Sequence, residues 1–412
     1  MAVDRVLIEF DRTARVRTAT LRAFDTLPDT GDGGSGISPD GHDRPGCGVA
    51  YVQVWVELPE ELDVEAHARA NADDAIPDRT PYGLHHLADR GDLTLSFRRP
   101  LRSERAAWVA RKVRNRLAAH EAVAGVLGSA SRERREADAI LCMDERTSLP
   151  AALLPGGPPV VSNLIWIQRP EELPRARREV TRRALHRMGG IFGQAHSLVE
   201  ELREGWDLDP ERVHYVRLGV DPDFFAPQPW TEGTTTVASV GDDPYRDHPL
   251  LIDAVRRLRA QGTDARLELG TTIPEIEMEP ELGVLHRWRM EGAVRAMYRR
   301  AGVVALAAKP SNRGTGSTVV LEAAASARPV VVTRNPAMED LVEDGVRGIL
   351  VPPDDPEAFA RALGDLLAAP ERAQAMGRAA RAWLAENRTT AHMAADIRAV
   401  LDRTVELGPP SR

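Results

Sequence analysis

The residues richest in chemical possibility lie in one run, Lys309-Pro-Ser-Asn-Arg-Gly-Thr-Gly-Ser-Thr-Val-Val-Leu-Glu322. Gly314 and Gly316 let main chain approach a ligand with no Cβ in the way, and Ser317 or Thr318 can cap a helix that starts there. Free N–H groups, Thr315 included, and the positive end of that helix make an anion site suited to a diphosphate. Glu322 falls about five residues into the helix, or ~7.5 Å along its axis, where a carboxylate can take a sugar hydroxyl beside the anion. The same residues also fit a plain reversal of the chain, with Glu322 facing solvent. A second candidate is Val240-Gly-Asp-Asp-Pro-Tyr-Arg-Asp-His248, in which Arg246 offers a diphosphate a fixed cation with several donors. The alternative for Arg246 is a surface pair with Asp242, Asp243 or Asp247. Asp242-Asp243 mimics the paired carboxylates of metal-dependent sugar transferases, but adjacent Asp in a turn are commonplace and no metal is expected there. No His/Glu spacing resembles a zinc site, and no Gly-x-Ser-x-Gly or Cys/His pair suggests hydrolysis.

Both segments follow apolar runs, which read as strands of a larger series. The chain has 412 residues, 42% apolar and 28% charged, enough for two or three soluble globular domains. Residues 49–56, 93–97, 137–143 and 159–162 read as strands, with a helical stretch through Tyr82 and Leu87 that ends at Gly91 and another over 149–154. After a Pro-rich, irregular connection over 213–229, strands are expected at 236–240, 266–269, 303–308, 329–333 and 348–351. Helices over 250–261, 292–301, 318–327 and 358–369 alternate with them, and 389–401 forms a helical tail. Strand and helix alternate throughout, which predicts α/β architecture with two doubly wound parallel sheets. The expected organisation is a flexible appendage over 1–47, a first domain over 48–217, a linker over 218–232, a second domain over 233–388, and a last helix and tail over 389–412.

Composition narrows the function classes. A net charge of −8 argues against nucleic acid as a partner, because backbone binding needs a large cationic surface. Two cysteines, Cys47 and Cys142, build no disulfide framework, so a reducing cytoplasm is the expected compartment. The start Met1-Ala2-Val3-Asp4-Arg5 lacks a signal-peptide pattern, and no stretch reaches ~18 apolar residues. Between Arg98 and Arg116 eight basic residues face the single acid Glu104, with Trp108 and Val109 among them. That stretch reads either as a face for anionic membrane or as a solvated Arg-rich helix. His85 and His86 have the intrinsic pKa of a base, but neighbouring residues of a helix diverge, so at most one faces a cleft and a surface placement is the alternative.

Several ordered motifs carry a resemblance: Val216-Arg-Leu-Gly-Val-Asp-Pro-Asp-Phe-Phe-Ala-Pro227, Pro310-Ser311, Leu321-Glu-Ala-Ala-Ala, Arg328-Pro-Val-Val-Val-Thr333, and the run from Glu339 to Pro353. Over about residues 185–403, and more faintly over 49–185, the chain resembles family 4 glycosyltransferases. The resemblance implies the GT-B fold, two Rossmann-like domains facing across a cleft, with a nucleotide sugar held by the C-terminal one and the acceptor by the N-terminal one. It implies retention of anomeric configuration, no metal and no cofactor beyond the nucleoside diphosphate sugar donor. The acceptor is expected to be a small molecule, a glycan or a lipid. By the same resemblance Glu322 holds the donor ribose, Gly316, Ser317 and Thr318 contact phosphate or sugar, Arg246 takes the basic diphosphate position, and main chain around His286 and Arg287 meets the base.

The departures are as specific. The family's first Glu, eight positions before the second, is Gly314 here, and the Arg just after the glycine of the second domain's first strand is Asp242. Where the family places a His at the end of an N-domain strand, this chain has Asp144-Glu145 after one strand and Asn163 after the next. The resulting expectation is an active hexosyltransferase that uses backbone amides with the hydroxyls of Thr315 or Ser317, and acceptor-side groups among His85, Asp144, Glu145 and Asn163. The alternatives are a non-catalytic sugar-nucleotide-binding protein or partner subunit, and a sugar-nucleotide epimerase. A tandem-Rossmann dehydrogenase is disfavoured, since no Gly-x-Gly-x-x-Gly follows the first strand of either half.

Overall fold

In β1 (Val52–Glu57) every side chain but Gln53 is buried, the signature of a strand covered on both faces. A computed structural model describes residues 52–59, 61–98, 132–311 and 314–408. The expected appendage over 1–47, Cys47, and the basic stretch beyond Arg98 lie outside the described residues. Around β1, the first sheet runs in the order β2 (Leu93–Phe97), β1, β3 (Ala139–Cys142), β4 (Val160–Asn163), β5 (Gly190–Gly193) and β6 (Val213–Tyr215). The second runs β12 (Ile349–Val351), β11 (Val330–Thr333), β10 (Val303–Leu306), β7 (Thr236–Val240), β8 (Arg266–Gly270) and β9 (Gly283–His286). Every neighbouring pair is parallel.

Helices cover the faces of both sheets. The first lobe carries α1 (Val64–Ala72), α2 (Arg132–Glu136), α3 (Glu145–Leu153), α4 (Arg175–Leu185) and α5 (His196–Gly205). The second carries α6 (His248–Ala260), α7 (Val294–Arg300), α8 (Ser317–Ala325), α9 (Pro336–Glu339), α10 (Pro356–Leu367) and α11 (Pro370–Asn387). The last helix, α12 (Thr390–Leu407), buries Met393, Ile397, Val400 and Leu401 in the core of the first lobe, whereas Ala380 and Leu384 of α11 belong to the core of the second. The chain thus passes between lobes twice, side by side: Val220 N–H donates to Arg388 O at 3.0 Å and Thr390 N–H to Val220 O at 3.1 Å. Gly219 permits this crossing, because a Cβ there would strike the Thr389 carbonyl. Among the described residues no helix is long and apolar enough to cross a membrane.

The sheet orders fix where ligands go. In the second sheet the connections reverse direction between β7 and β10, and in open α/β sheets the crevice at the carboxyl ends of such a pair is the binding place. The loop after β7 holds Gly241 to Asp247, and the loop after β10 leads to Gly314 through Ser317.

The structure corrects some local expectations. The run after Val213 starts as the edge strand β6, with Val213 buried and in register with Ile191. A three-residue strand is held by its neighbour, and its own sequence does not announce it. β5 and β9 are strands that the reading left out. Gly190 in β5 is required by close packing, since a Cβ would lie 2.4 Å from Thr404 Oγ1, and two glycines in four residues mask the strand pattern. The stretch around Tyr82 is a 3₁₀ segment, Pro81–Ala88, interrupted by left-handed Tyr82 (φ 60°) and Gly83 (φ 64°). At Gly83 the start of α12 comes so near that a Cβ would meet Thr390 Cβ at 2.5 Å, so tertiary packing overrides the helical pattern.

Candidate active site

A cavity of about 920 Å³ lies between the lobes, and both contribute to its walls. On the second lobe Arg246 is the central group. Its backbone bridges to Ala308, with Lys309 N–H donating to Tyr245 O at 2.8 Å and Asp247 N–H to Ala307 O at 2.9 Å, so the loop after β7 is tied to the end of β10. Arg246 is 6% exposed, and its Nη2 donates to Val240 O at 2.8 Å. It lies against two glycines: a Cβ on Gly241 would fall 2.6 Å from Nε, and one on Gly316 2.8 Å from Nη1. Nε and Nη1 have no hydrogen-bond partner among the described residues. A buried, charged donor left unpaired is costly, and it marks a position that an anion would complete. Burial pulls the Arg246 pKa down, yet a guanidinium remains charged at neutral pH.

The surface-pair alternative for Arg246 does not occur among the described residues. Asp242 Oδ1 accepts from Thr271 Oγ1 and Thr272 N, Asp243 Oδ1 from Tyr245 N, and Asp247 Oδ1 caps α6 through Leu250 N. These carboxylates have separate duties.

The helix expected to carry the anion site is α8, and its capping differs from expectation. Gly316 is the N-cap, in the left-handed region (φ 83°, ψ 11°), and neither Ser317 nor Thr318 caps the helix with its side chain. Among the described residues no side chain caps the first turn, as an anion-binding terminus needs. Gly314, Thr315, Gly316, Ser317 and Thr318 all line the cavity. Thr315 Oγ1 is buried without a partner, and at Gly314 a Cβ would lie 2.6 Å from Ser317 Oγ.

Glu322 lines the same cavity, half-buried, one and a half turns into α8. Burial pushes its carboxyl up to about 7, against the pull of the Tyr298 hydroxyl, which donates to Oε2 at 2.9 Å, and of the Arg246 charge. Tyr298 lies in the last turn of α7, whose last carbonyls are capped by a fully buried cation: Arg328 Nε donates to Tyr298 O at 2.9 Å and Nη2 to Arg299 O at 2.8 Å. Neither Tyr298 nor Arg328 was assigned a role from sequence. Arg328 stood inside the strongest motif, but nothing in a linear pattern says that it holds a tyrosine backbone.

The first-lobe wall differs from the expected set. Of His85, Asp144, Glu145 and Asn163, only Asn163 lines the cavity. Its Nδ2 donates to Gln194 Oε1 at 3.3 Å, and its Oδ1 is buried without a partner. Glu145 acts from behind: Oε2 accepts from Ile165 N at 3.1 Å and Oε1 from Trp166 N at 2.9 Å, fixing a loop whose residues do line the cavity. Burial raises the Glu145 pKa. Asp144 caps α3 through Thr147 N and pairs with Arg146. The His85 backbone N–H donates to Thr80 Oγ1 at 2.8 Å, and burial pushes the ring down to about 4, aided by the neighbouring His86. His286 turns to Glu268 at 3.0 Å and Arg287 donates to Ile276 O at 2.8 Å, and neither lines the cavity. Sequence reasoning passed over Tyr82 and Trp166, large exposed side chains on the cavity rim. The only trio of described side chains able to bring metal-ligand atoms together is Asp78, His85 and His86.

Comparison with known proteins agrees with this architecture. Residues 234–369 match the family described as Glycosyl transferases group 1. A GDP-mannose-dependent alpha-(1-6)-phosphatidylinositol monomannoside mannosyltransferase of Mycolicibacterium smegmatis is 33% identical over 201 residues, 42% of this chain and 52% of that protein. A D-inositol 3-phosphate glycosyltransferase of Corynebacterium glutamicum is 31% identical over 197 residues, 41% of this chain and 46% of that protein. The chain spans about half the length of these relatives. Among solved structures, an Anabaena protein crystallised with UDP and glucose superposes with a TM-score of 0.58 at 15% identity, covering 85% of this chain and 100% of that one. A UDP-forming alpha,alpha-trehalose-phosphate synthase of Burkholderia vietnamiensis gives 0.61 at 14% identity, over 85% and 99%. Residues 234–369 are therefore similar to the Glycosyl transferases group 1 family, within a chain that has the GT-B fold.

Proposed function

We propose that this protein is a retaining hexosyltransferase that takes its sugar from a nucleoside diphosphate donor and passes it to an acceptor hydroxyl or amine without a metal at the diphosphate. The observation that carries this reading is the buried Arg246 guanidinium, with Nε and Nη1 unpartnered, between Gly241 and the glycine that opens α8. As the bond between the sugar and the distal phosphate breaks, negative charge grows on that phosphate. Donors fixed beforehand favour that state most, because nothing has to reorganise as the charge appears. Glu322 takes the ribose hydroxyls. The acceptor hydroxyl enters from the first-lobe side, its oxygen bonds to the anomeric carbon on the face that the phosphate leaves, and its proton passes to the departing phosphate oxygen. No side chain acts as nucleophile. The relatives' names make GDP-mannose the first donor to try, and the solved UDP complexes make UDP-glucose the second.

The test is a thermal-shift panel of nucleoside diphosphates followed by nucleotide release from their sugars. A matching nucleotide at ~100 times its Kd adds ~2.7 kcal/mol of stability. Release of nucleoside diphosphate that accelerates with acceptor completes the case. Absence of any shift overturns the reading, and binding with no turnover in the presence of acceptors leaves only the sugar-nucleotide-binding part of it.

A further inference from the structure

Asp78, His85 and His86 each bring one ligand atom into a common space, with all three atoms within 4.8 Å of one another and all three residues half-buried. The two rings lie side by side, centroids 4.0 Å apart, and each is held by its Nδ1. His86 Nδ1 meets Asp89 Oδ2 at 2.7 Å, and His85 Nδ1 meets Thr80 Oγ1 at 3.3 Å. A carboxylate only accepts, so Asp89 fixes the proton of His86 on Nδ1 and leaves a lone pair on Nε2. Thr80 Oγ1 already accepts the His85 backbone N–H and has a second lone pair for the ring. Neither Nε2 has a partner among the described residues. An imidazole whose far nitrogen donates to an oxygen is the usual posture of a metal-bound histidine.

The third member is pre-set as well. Asp78 sits in the left-handed region (φ 58°), with its N–H donating to Asp221 Oδ2 at 3.0 Å and its Oδ1 accepting from Thr390 Oγ1 at 2.9 Å. Neither the Asp78 nor the Asp221 carboxylate forms an ion pair among the described residues, and a divalent cation at Asp78 would supply the opposite charge. The 3₁₀ segment that carries the histidines keeps its kink through Tyr82 and Gly83. That kink is what brings residues seven and eight positions beyond Asp78 back to it.

We propose that Asp78, His85 and His86 form a binding site for a borderline divalent transition metal, with Zn(II) the best match to two imidazoles and a carboxylate. Three protein ligands leave at least one position for water or a ligand oxygen. The site joins the first-lobe turn, the connecting segment at Asp221 and the start of α12. Asp78 lines the cavity between the lobes that Arg246 also lines, whereas His85 and His86 do not.

The experiment uses the full chain, free of affinity tag and stripped with chelator, titrated with Co(II) and then Zn(II). One equivalent of Co(II) should develop d–d absorption that Zn(II) abolishes, and Zn(II) should raise Tm. His85→Ala and His86→Ala should each weaken Zn(II) binding at least 10-fold. Asp89→Asn, a change at an exposed position, should weaken it about 10-fold through ring orientation alone. Absence of stoichiometric binding, or wild-type Zn(II) affinity in Asp89→Asn and both histidine variants, overturns the proposal. The nucleotide shift of the stripped protein reports separately on the Arg246 site.

Discussion

The second-lobe wall of the cleft presents main chain and one buried guanidinium, whereas the first-lobe wall presents side chains. Gly241, Gly314 and Gly316 bring backbone against Arg246 and Ser317 so closely that no Cβ fits. Across the gap stand Tyr82, Ile165, Trp166 and Leu198, with Asn163 and Gln194 bonded to each other. A diphosphate has the same charge and geometry in every donor, so the groups that hold it can be rigid and fully committed. An acceptor is held by area and a few polar atoms, so its wall rests on shape. The two walls should therefore respond to mutation on different scales.

Arg246→Ala tests the rigid wall and should give the largest effect. Loss of one pre-placed donor group at developing charge costs about 10²–10³-fold in turnover. Arg246→Lys should recover little, since a point charge on a flexible stem cannot reproduce two fixed N–H groups between Gly241 and Gly316. Steady-state kinetics with donor and acceptor saturating, on protein with unchanged circular dichroism, decides this. Turnover within threefold of wild type would remove Arg246 from the chemistry.

Glu322→Gln comes next and has a pH signature. The carboxyl is held near 7 in the folded protein, against an ordinary 4.5, mainly by burial. Its folded-state pKa is raised, so the stability it contributes is complete below the ordinary value and is lost as pH climbs through about 7. In the free enzyme the ionised form thus costs stability, and Glu322→Gln should flatten the decline in Tm between pH 5 and 8. Donor binding runs the other way, because ribose hydroxyls donate more strongly to the ionised carboxylate. Wild-type donor affinity should rise through pH 7, and the variant should bind donor about 30-fold more weakly at pH 8, or ~2 kcal/mol for a charge-assisted bond. Calorimetric titration at pH 6 and 8 measures both. A pH-independent wild type matched by the variant contradicts the ribose assignment.

These two residues were legible in the sequence, and the reason is physical. Glycines where main chain must approach closely, a cation after one strand and a carboxylate in the first turns of a helix are all set by local geometry, which a linear pattern records. So are the strands made of β-branched runs, such as Val330–Thr333. What escaped depends on contacts between distant segments. The kink at Tyr82 and Gly83 is imposed by Thr390, more than three hundred residues later. β6 is a strand only because β5 lies beside it. His85 and Asp144 attract notice by type, but their neighbours, Thr80 and Arg146, occupy them. The capping of α8 was misjudged for a related reason: Ser and Thr beside glycine look like caps, and here the close approach of Arg246 and Leu306 makes the glycine itself the cap.

Glu145→Gln probes the adaptable wall from behind. The amide keeps one acceptor oxygen and turns an NH₂ toward the second of the two main-chain donors, Ile165 N or Trp166 N. Leaving one of these part-buried N–H groups unmatched costs up to about 1–3 kcal/mol. The loop should loosen and the acceptor KM rise about 10-fold, with the nucleotide thermal shift unchanged. A fall in nucleotide affinity instead would mean that the loop serves the donor.

Trp166→Ala should give the smallest change and the sharpest sorting of the two walls. The indole is 44% exposed at the cavity rim, while its backbone is already fixed by Glu145, so removing it deletes contact area without freeing the loop. A ring stacked on one face of an acceptor is worth about 0.5–1.5 kcal/mol beyond area, which is a change of about 2- to 12-fold. That loss should appear in the acceptor KM alone, while turnover at saturating acceptor and the donor KM stay within twofold. Trp166→Phe should restore most of it, since a phenyl face still stacks. If instead Trp166→Ala lowers turnover as much as Arg246→Ala, the rim aromatic is part of the chemical step, and the division between a committed donor wall and an adaptable acceptor wall fails.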